Sequence, residues 1–447
     1  MTSFAGTGPF AGASIADLAE RLRAGAATSA DLVEAALAAA DDTGATLNCY
    51  VTVDHAGAHR AAEQADRELA AGIDRGPLHG IPVGVKDLID TAGLRTTCGS
   101  RHFDQRVPTT DAAVVTALRQ AGAVIVGKTH THQFAYGPTG DVAHTGPARN
   151  PHDPNKMTGG SSSGSAAAVA AGLLPAALGT DTGGSVRIPA ALCGIVGLRP
   201  TQGRLSGAGV FPLSDTLDTV GPMAATVEDT RLLWAALTGR PVTFPLVDGL
   251  RIGVVRSELT DRVVPSQAKA LDTAVTMLRE AGFAVRDEPV PALGDLGPVY
   301  ANIQGPEARA VHADRVANEA DGYEPEVLAR LERAAEVQAW EYIRAMATRQ
   351  RLRADETNAE ILVLPTVPIE APPVGARDVD LGAGWTNPTP ALLSGTAGWS
   401  VLGLPAISVP VPGDGLPGSV QLVGRAGTDS QVLAIARVLE AAVSAFR

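Results

Sequence analysis

The sequence has few of the residues on which much hydrolytic and metal chemistry depends. Its 447 residues include only three cysteines and nine histidines. Cys49, Cys98 and Cys193 are odd in number, far apart and without a CxxC pair. This argues against a disulfide framework or a structural zinc site and favours a reducing compartment. Aromatic residues make up only 4% of the chain, so we expect aliphatic side chains to fill the core.

Positive charge and long apolar runs are also scarce. The 36 Lys and Arg residues are outnumbered by 48 Asp and Glu residues, which gives a net charge of −12. Nucleic acids and anionic membranes bind basic surfaces, so we expect neither as a partner. The N-terminus has no secretory pattern, and the small-apolar stretch 166–178 is too short to span a bilayer. These absences predict a soluble, cytoplasmic protein.

Helical and strand patterns alternate along the chain. We predict helices that begin at Ser14 and Thr28, and others over 54–71, 267–281 and 430–446. We predict strands over 78–86, 123–127, 250–255, 284–287, 361–365, 402–410 and 419–424. The charged, helical region 291–352 is interpreted as a variable cap. With neither a repeat nor a clear linker, the interleaved elements indicate one α/β domain.

Two glycine- and serine-rich segments are the densest candidates for a site. Residues 159–166 are GGSSSGSA, and residues 179–189 are GTDTGGSVRIP. Each alone is typical of a loop or of a turn before a helix. The short helix and short strand between them run out and back over similar lengths, so Ser185 can return beside Ser161. Two hydroxyls near the backbone amides of a turn form a candidate acyl-transfer site.

A serine nucleophile needs a base, and the usual histidine is poorly supplied here. Residues 160–164 match the G-x-S-x-G nucleophile elbow with Ser162 at its centre, but that fold places its histidine after the serine. Only His312 lies downstream of His152, in a charged helical stretch. The elbow interpretation is therefore disfavoured.

The histidines do not form a recognisable metal motif either. His55 and His59 have helical spacing but lack the glutamate of HExxH. His130 and His132 have H-x-H spacing, yet no later cluster completes a site. We interpret these four residues as histidines of the surface or of the surroundings of the site.

Lys86 remains as a candidate base. It follows the apolar run 81–85 and precedes Asp87, Leu88 and Ile89. A lysine at a strand end often lies along the surface with its ammonium group in water. Its apolar neighbours favour burial instead, and burial lowers the pKa of a lysine. Both interpretations stay open at this point.

Taken together, these segments resemble the amidase signature family. The resemblance is carried by residues 80–87 (GIPVGVKD), 159–165 and 179–189, with support at 150–151, 197–201, 218–222 and 403–410. It extends from about Ser14 to the C-terminus and thins over 241–360. The resemblance implies an α/β fold in a single domain, residues 1–447, with a large mixed β-sheet flanked by α-helices. Its core motifs would occupy 80–220 and its helical cap about 291–352.

The resemblance also implies a Ser–cis-Ser–Lys triad. Ser185 would be the nucleophile that forms an acyl-enzyme, and Ser161, preceded by a cis peptide bond, would pass its proton to neutral Lys86. The oxyanion hole would consist of the backbone amides of Thr182, Gly183, Gly184 and Ser185. No metal or organic cofactor is implied, and the partner would be a small-molecule amide.

Residues beside the triad keep two interpretations each. Arg187 binds a substrate carboxylate in some relatives, whereas an ion pair with Asp181 is the alternative. The pair Gly159 and Gly160 would contact substrate or support the triad. His130 and Gln133 stand where many relatives have Asn and Glu, a change that would reshape the pocket edge.

Within the resemblance, two activities are open. One is a stand-alone amidase that converts a carboxamide or ureido-type amide to a carboxylate and ammonia or an amine. The other is the glutaminase component of a tRNA-dependent amidotransferase, which needs an acidic residue near 385–404; this segment has no Asp or Glu. A non-catalytic scaffold is disfavoured because Lys86, Ser161 and Ser185 are all present. The oligomeric state stays open, although homodimers are common among such relatives.

Overall fold

The computed structural model describes residues 3–247, 249–290, 293–294, 296–353, 358–411, 413 and 415–445. Strands and helices alternate along this part of the chain. The strands are β1 Tyr50–Val53, β2 Pro82–Lys86, β3 Val124–Thr129, β4 Ala176–Asp181, β5 Val196–Arg199, β6 Thr219–Ala224, β7 Arg251–Arg256, β8 Ala284–Pro289, β9 Ile361–Pro365, β10 Ala406–Val411 and β11 Gly418–Gly424.

Helices precede, separate and follow these strands along the chain. They are α1 Ile15–Arg23, α2 Ser29–Ala39, α3 His55–Ala70, α4 Ala113–Gln120, α5 Ser163–Ala170, α6 Arg187–Cys193, α7 Val227–Thr238, α8 Glu258–Asp261, α9 Pro265–Glu280, α10 Leu296–Val311, α11 Ala313–Asn318, α12 Pro325–Ala334, α13 Ala339–Leu352, α14 Pro388–Ser394, α15 Ala397–Leu402 and α16 Asp429–Ala445. Among the described residues, no helix combines the length and the apolar character needed to cross a bilayer.

The strands form one mixed, eleven-stranded sheet in the order β1-β3-β2-β4-β6-β5-β10-β11-β9-β7-β8. Strand β2 lies between β3 and β4 and is parallel to both. Its register pairs Val83 with Ala176 and Val85 with Leu178. The carboxyl ends of adjacent parallel strands meet at one edge of a sheet, which is where α/β proteins commonly place their sites. The sheet therefore brings the end of β2, Lys86, close to the end of β4.

Local sequence explains where the first helices begin. Ser14 caps α1 and exchanges hydrogen bonds with Asp17, while Thr28 and Asp31 form the same capping box on α2. Each box satisfies two backbone amides that a helix start would otherwise leave without partners. The helix starts predicted at Ser14 and Thr28 are confirmed, as is the α/β fold with a large mixed sheet.

The core is aliphatic, as the low aromatic content predicts. One cluster packs α1–α4 against β2 and β3, and a second packs α9 and α16 against the strands around β11. Residues of β2, β4, β5 and β6 are buried throughout. Strands covered on both faces read as continuous apolar runs, which is why the alternation of a half-exposed sheet is absent here.

Several predicted boundaries are wrong at their ends. The strand predicted over 78–86 begins only at Pro82, because Gly80 has a φ of +80° and Ile81 closes a turn onto Leu78. The strand predicted over 402–410 begins at Ala406, because Leu402 still belongs to α15 and Gly403 ends that helix with a φ of +70°. The predicted end of the last helix, Phe446, lies outside the described residues.

Helices α10, α12 and α13 pack together within the region interpreted as a cap. Helix α10 also packs on α15, which precedes β10. Helix α10 thereby lies over the same edge of the sheet as the ends of β2 and β4, where Gly183 of the β4–α6 turn faces the ring of Tyr300 on α10.

Candidate active site

Lys86 is fully buried at the end of β2. Its Nζ donates to Ser161 Oγ at 2.7 Å and to Thr180 Oγ1 at 2.8 Å. Loss of hydration lowers the pKa of Lys86 to about 7, although the negative charges of Asp218 and Asp181 oppose the shift. Near neutral pH a large fraction of Lys86 is therefore an uncharged amine that can accept a proton. The interpretation of Lys86 as a surface residue is wrong.

Ser161 belongs to a tightly packed loop before α5. The Gly160–Ser161 peptide bond is cis, and Ser161 is fully buried. The Gly160 amide donates to the Pro138 carbonyl at 2.7 Å, and the Ser161 carbonyl accepts from the His132 amide at 3.1 Å. These bonds hold the backbone on both sides of the serine, so its hydroxyl is fixed against Lys86.

Ser185 lies on the turn between β4 and α6, and its exposed fraction is 7%. Its carbonyl accepts from the Ser162 amide at 3.2 Å, which joins this turn directly to the Ser161 loop. Gly184 has a φ of +136°, and a Cβ there would lie 2.2 Å from Thr396 Oγ1. Glycine is thus required on both counts. The hydrogen bond between Ser162 and Ser185 thus joins the two glycine- and serine-rich segments, 159–166 and 179–189.

The turn leaves backbone donors without acceptors. Within the described part of the chain, no protein group accepts from the amides of Thr182, Gly183, Gly184 or Ser185. Thr182 donates its hydroxyl to Asp218 Oδ1 at 2.5 Å, and the Gly183 carbonyl accepts from Thr396 Oγ1 at 2.6 Å. Such a held set of free amides can stabilise an oxyanion that develops beside Ser185.

Asp218 supports the same turn from the side. Loss of hydration raises the pKa of Asp218 to about 6, while the hydrogen bond from Thr182 and the amides of Ser214 and Leu213 oppose the shift. These two amides donate to Asp218 Oδ2 at 3.1 Å and 2.8 Å. In the sequence, Asp218 only supports the resemblance, within residues 218–222, and no role is predicted for it.

A buried ion cluster lies behind the turn. Asp181 accepts from Arg187 Nε and Nη2 at 3.0 Å each, and Arg199 Nη1 lies 3.1 Å from the same carboxylate. All three side chains are fully buried. Burial alone would raise the pKa of Asp181, but the two guanidinium groups hold it well below its usual range. Arg187 therefore lies in the ion pair that sequence analysis gave as its alternative.

Arg187 also ties the turn to helix α15 and strand β11. Its Nη1 donates to the Thr396 carbonyl and to Gln421 Oε1, both at 3.1 Å, and its Nη2 donates to Ser400 Oγ at 2.8 Å. Its donors are occupied by protein, so they do not face the cavity. Gly159, with a φ of +72°, packs against α6 and not against open space.

Among the described residues, no histidine side chain forms a hydrogen bond with the hydroxyl of Ser161 or Ser185. His55 and His59 pair with acidic residues on the surface. His130 is fully buried, where its ring contacts Ser163 Oγ at 2.7 Å and the Gly146 carbonyl at 2.8 Å. Burial lowers the pKa of His130 to about 4. His132 is also fully buried, so His130 and His132 fit the interpretation as histidines of the surroundings of the site and not that of surface residues.

Gln133 joins the site region to the cap. Its Oε1 accepts from the Glu324 amide at 2.8 Å, and its Nε2 donates to Ser100 Oγ at 3.1 Å.

No group of three or more metal-ligating side chains occurs among the residues the structure describes. The described cysteines are all free and buried.

A cavity of about 740 Å³ opens beside Ser185. Tyr136, Leu213, Tyr300 and Trp385 contribute to its largely apolar wall. Residues 293–337 and 385–398 supply most of the cavity wall, whereas β2, β4 and their loops carry the hydroxyls and the amine. Thr180 and Tyr300 were not predicted from the sequence as residues of the site. Thr180 could have been found, since it lies within the second glycine-rich segment, whereas Tyr300 lies in no motif.

Comparisons with known proteins show that the chain is similar to amidases and to related subunits. A family model described as Amidase matches residues 31–433. The A subunit of glutamyl-tRNA(Gln) amidotransferase from Roseiflexus sp. (strain RS-1) is 37% identical over an alignment that covers 94% of this chain and 94% of its own. AtzE, the 1-carboxybiuret hydrolase subunit of Pseudomonas sp. (strain ADP), is 34% identical over 95% of this chain and 97% of its own. A crystal structure of an amidase has a TM-score of 0.90 at 34% identity and covers 96% of this chain and 100% of its own.

Proposed function

The chain belongs to the amidase family and is an amide C–N hydrolase, and from this premise we propose that it acts alone on a small-molecule carboxamide or ureido-type amide. The products would be a carboxylate and ammonia or an amine. The observation that carries the proposal is the 2.7 Å hydrogen bond between Lys86 Nζ and Ser161 Oγ, next to the turn that bears Ser185.

In the proposed mechanism, Ser185 Oγ attacks the amide carbonyl carbon. Its proton passes to Ser161, whose own proton passes to neutral Lys86. The carbonyl oxygen becomes an oxyanion that accepts from the amides of residues 182–185, which need no rearrangement to donate. Lys86 then returns its proton through Ser161 to the leaving nitrogen, and the C–N bond breaks as the acyl-enzyme forms.

A water molecule completes the cycle. It attacks the acyl carbon of the Ser185 ester, and its proton passes by the same route to Lys86. The second oxyanion collapses, the bond to Ser185 Oγ breaks, and the serine recovers a proton from Lys86 through Ser161. The product leaves as a carboxylic acid, which loses its proton to solvent and becomes the carboxylate, and no electron acceptor or cofactor enters the balance.

A glutaminase component of an amidotransferase is the second candidate, and it is favoured by the 37% identity with the Roseiflexus protein. Glutamine carries an ammonium group, which a binding site normally pairs with a carboxylate. Residues 385–404 supply none, and no described residue that lines the cavity is Asp or Glu. These two facts support the stand-alone amidase.

The proposed function is tested by release of ammonia or amine from a panel of aryl, aliphatic, amino-acid and ureido amides. Glutamine belongs in the panel, with and without the other subunits of an amidotransferase. We expect turnover of at least one amide by the chain alone. Turnover of glutamine only, and only with partner subunits, would establish the second candidate instead.

The rate is expected to rise with pH through about 7. Lys86 must be uncharged to accept a proton, and its pKa is lowered by loss of hydration to about 7. Below that pH, the amine is protonated and the first step is blocked; above it, kcat/KM reaches a plateau. The measurement is kcat/KM for a neutral amide between pH 5.5 and 9. A flat profile would contradict the role of Lys86 as base.

A chelator is expected to leave the rate unchanged, because every proposed step uses only serine, lysine and backbone groups. The measurement is amide hydrolysis before and after dialysis against EDTA. A loss of activity that added zinc restores would contradict the serine–lysine mechanism.

The buried free cysteines support a reducing cytoplasm as the compartment of this reaction.

A further inference from the structure

The charge of the cavity beside Ser185 is opposite to that of the chain. The sequence has 48 acidic residues and 36 Lys and Arg residues. Among the described residues that line the cavity, however, the charged ones are Arg262, Arg330 and Arg333, and none is acidic. A cavity wall of this sign attracts anions and repels cations.

Two of these arginines are engaged with protein groups. Arg330 donates to Glu326 Oε1 at 2.5 Å, to the Tyr136 carbonyl at 2.8 Å and to Thr389 Oγ1 at 3.0 Å. Its charge is balanced by Glu326. Arg262 stacks on the ring of Trp385, 4.0 Å from its centroid. The same guanidinium donates to the carbonyls of Ala383 and Gly384.

Arg333 differs from both. It lies in the last turn of α12 with its side chain exposed. Across the described residues, its guanidinium has neither a carboxylate within ion-pair distance nor a hydrogen-bond acceptor. A guanidinium offers a planar fork of donors that matches a carboxylate. Arg333 is therefore an available anion-binding group on the wall of the cavity that contains Ser185.

The other residues of the cavity wall indicate which chemical group of the ligand lies beside its anionic group. The cavity of about 740 Å³ lies in the upper part of the range for sites that enclose drug-sized ligands. Tyr136, Tyr300 and Trp385 line it together with Leu213 and Leu293. An apolar wall of this size binds by removal of apolar surface from water, so a bulky apolar group is favoured over a small polar one.

We infer that the substrate is a carboxamide with a bulky apolar acyl group that ends in a carboxylate, and that Arg333 binds this carboxylate. The inference rests on the proposed function, because the amide must reach Ser185 for the cavity to hold the acyl group. The amide lies at Ser185, the apolar group fills the cavity, and the carboxylate lies at the rim beside α12. Arg333 is then a specificity-determining residue.

Three matched probes test the inference: 4-phenylbutanamide, 4-(4-carboxyphenyl)butanamide and 4-[4-(aminomethyl)phenyl]butanamide. They share the amide and the apolar group and differ only in the charge of the far end. We expect kcat/KM to be about fivefold higher for the carboxylate than for the neutral amide, the upper end of the effect of an ion pair made by an exposed side chain. The ammonium probe should be the slowest. Ammonia release is the measurement.

The variants are Arg333→Gln, Arg333→Lys and the control Arg344→Gln, an exposed arginine of α13 that does not line the cavity. We expect Arg333→Gln to remove the preference for the carboxylate through KM and to leave the neutral amide within about twofold. Arg333→Lys should restore part of the preference, because it retains the charge without the fork. Arg344→Gln should behave as the parent protein.

Two results would overturn the inference while the proposed function stands. One is equal turnover of the neutral and the carboxylate probe by the parent protein. The other is an equal loss for all three probes in Arg333→Gln, which would indicate a merely structural role at the end of α12. If no probe and no amide of the wider panel releases ammonia, the proposed function itself is wrong, and the inference is wrong with it.

Discussion

Replacement of Ser185 by alanine is expected to lower kcat/KM for amide hydrolysis by about 10⁴-fold or more, as loss of a nucleophile does in other hydrolases. The free amides of residues 182–185 would still polarise a bound amide, but no group would remain to form the acyl-enzyme. The side chain is small and lies on a turn held by backbone bonds. Its removal should therefore leave the melting temperature within about 2 °C.

The measurement is steady-state ammonia release together with thermal unfolding of the same preparation. Ser206→Ala is the control, because Ser206 is an exposed serine outside the cavity, and it should retain full activity. Mass spectrometry adds a direct readout: an acyl adduct should accumulate on the parent protein with a slow substrate and not on Ser185→Ala. Full activity of the purified variant would show that Ser185 is not the nucleophile.

Replacement of Asp181 by asparagine is expected to lower the free energy of unfolding by about 3–5 kcal/mol, the usual cost of removing one partner from a buried ion pair. Asp181 is the carboxylate that both Arg187 and Arg199 contact. Without its charge, two fully buried guanidinium groups would repel each other in a region with little water. Asparagine keeps the shape of the side chain, so the effect reports the charge.

Urea unfolding of the two proteins measures this difference. Asp287→Asn is the control, because Asp287 pairs with Arg256 at 3.0 Å but its side chain is 65% exposed. Exposed pairs contribute about 0–1 kcal/mol, so this variant should unfold close to the parent protein. A loss in Asp181→Asn no larger than that of the control would mean that solvent or another group compensates the arginines.

The parts of the fold that follow from nearby residues could be predicted. The capping boxes at Ser14 and Thr28 fix two helix starts, and α5 and β4 return the chain from the first glycine-rich segment to the second. The central strands β5 and β6 were missed. Pro222 and Gly221 weaken the strand pattern of β6, but pairing with β4 on one side and β5 on the other fixes it in the sheet. Tertiary pairing overrides local propensity here.

The residues of the site likewise fall into those that local sequence predicts and those that it does not. The sequence indicates the serines and Lys86 because they lie in short, characteristic segments. It does not indicate that His130 and His132 are buried, since that depends on α5 and on residues 137–146 that pack around them. Nor does it bring Arg333 to the cavity, because α12 is far from every motif. Such placements depend on long-range packing that no short pattern encodes.

The position along the chain of the groups proposed to react has an evolutionary consequence. Lys86, Ser161 and Ser185 all belong to the first half of the chain, on β2 and the loops around α5 and β4, whereas most of the cavity wall comes from residues 293–398. Substitutions at these wall residues can change which molecule enters without replacing the groups proposed to react. Duplicated copies of such a protein can therefore diverge in substrate while the proposed bond-breaking apparatus is inherited unchanged.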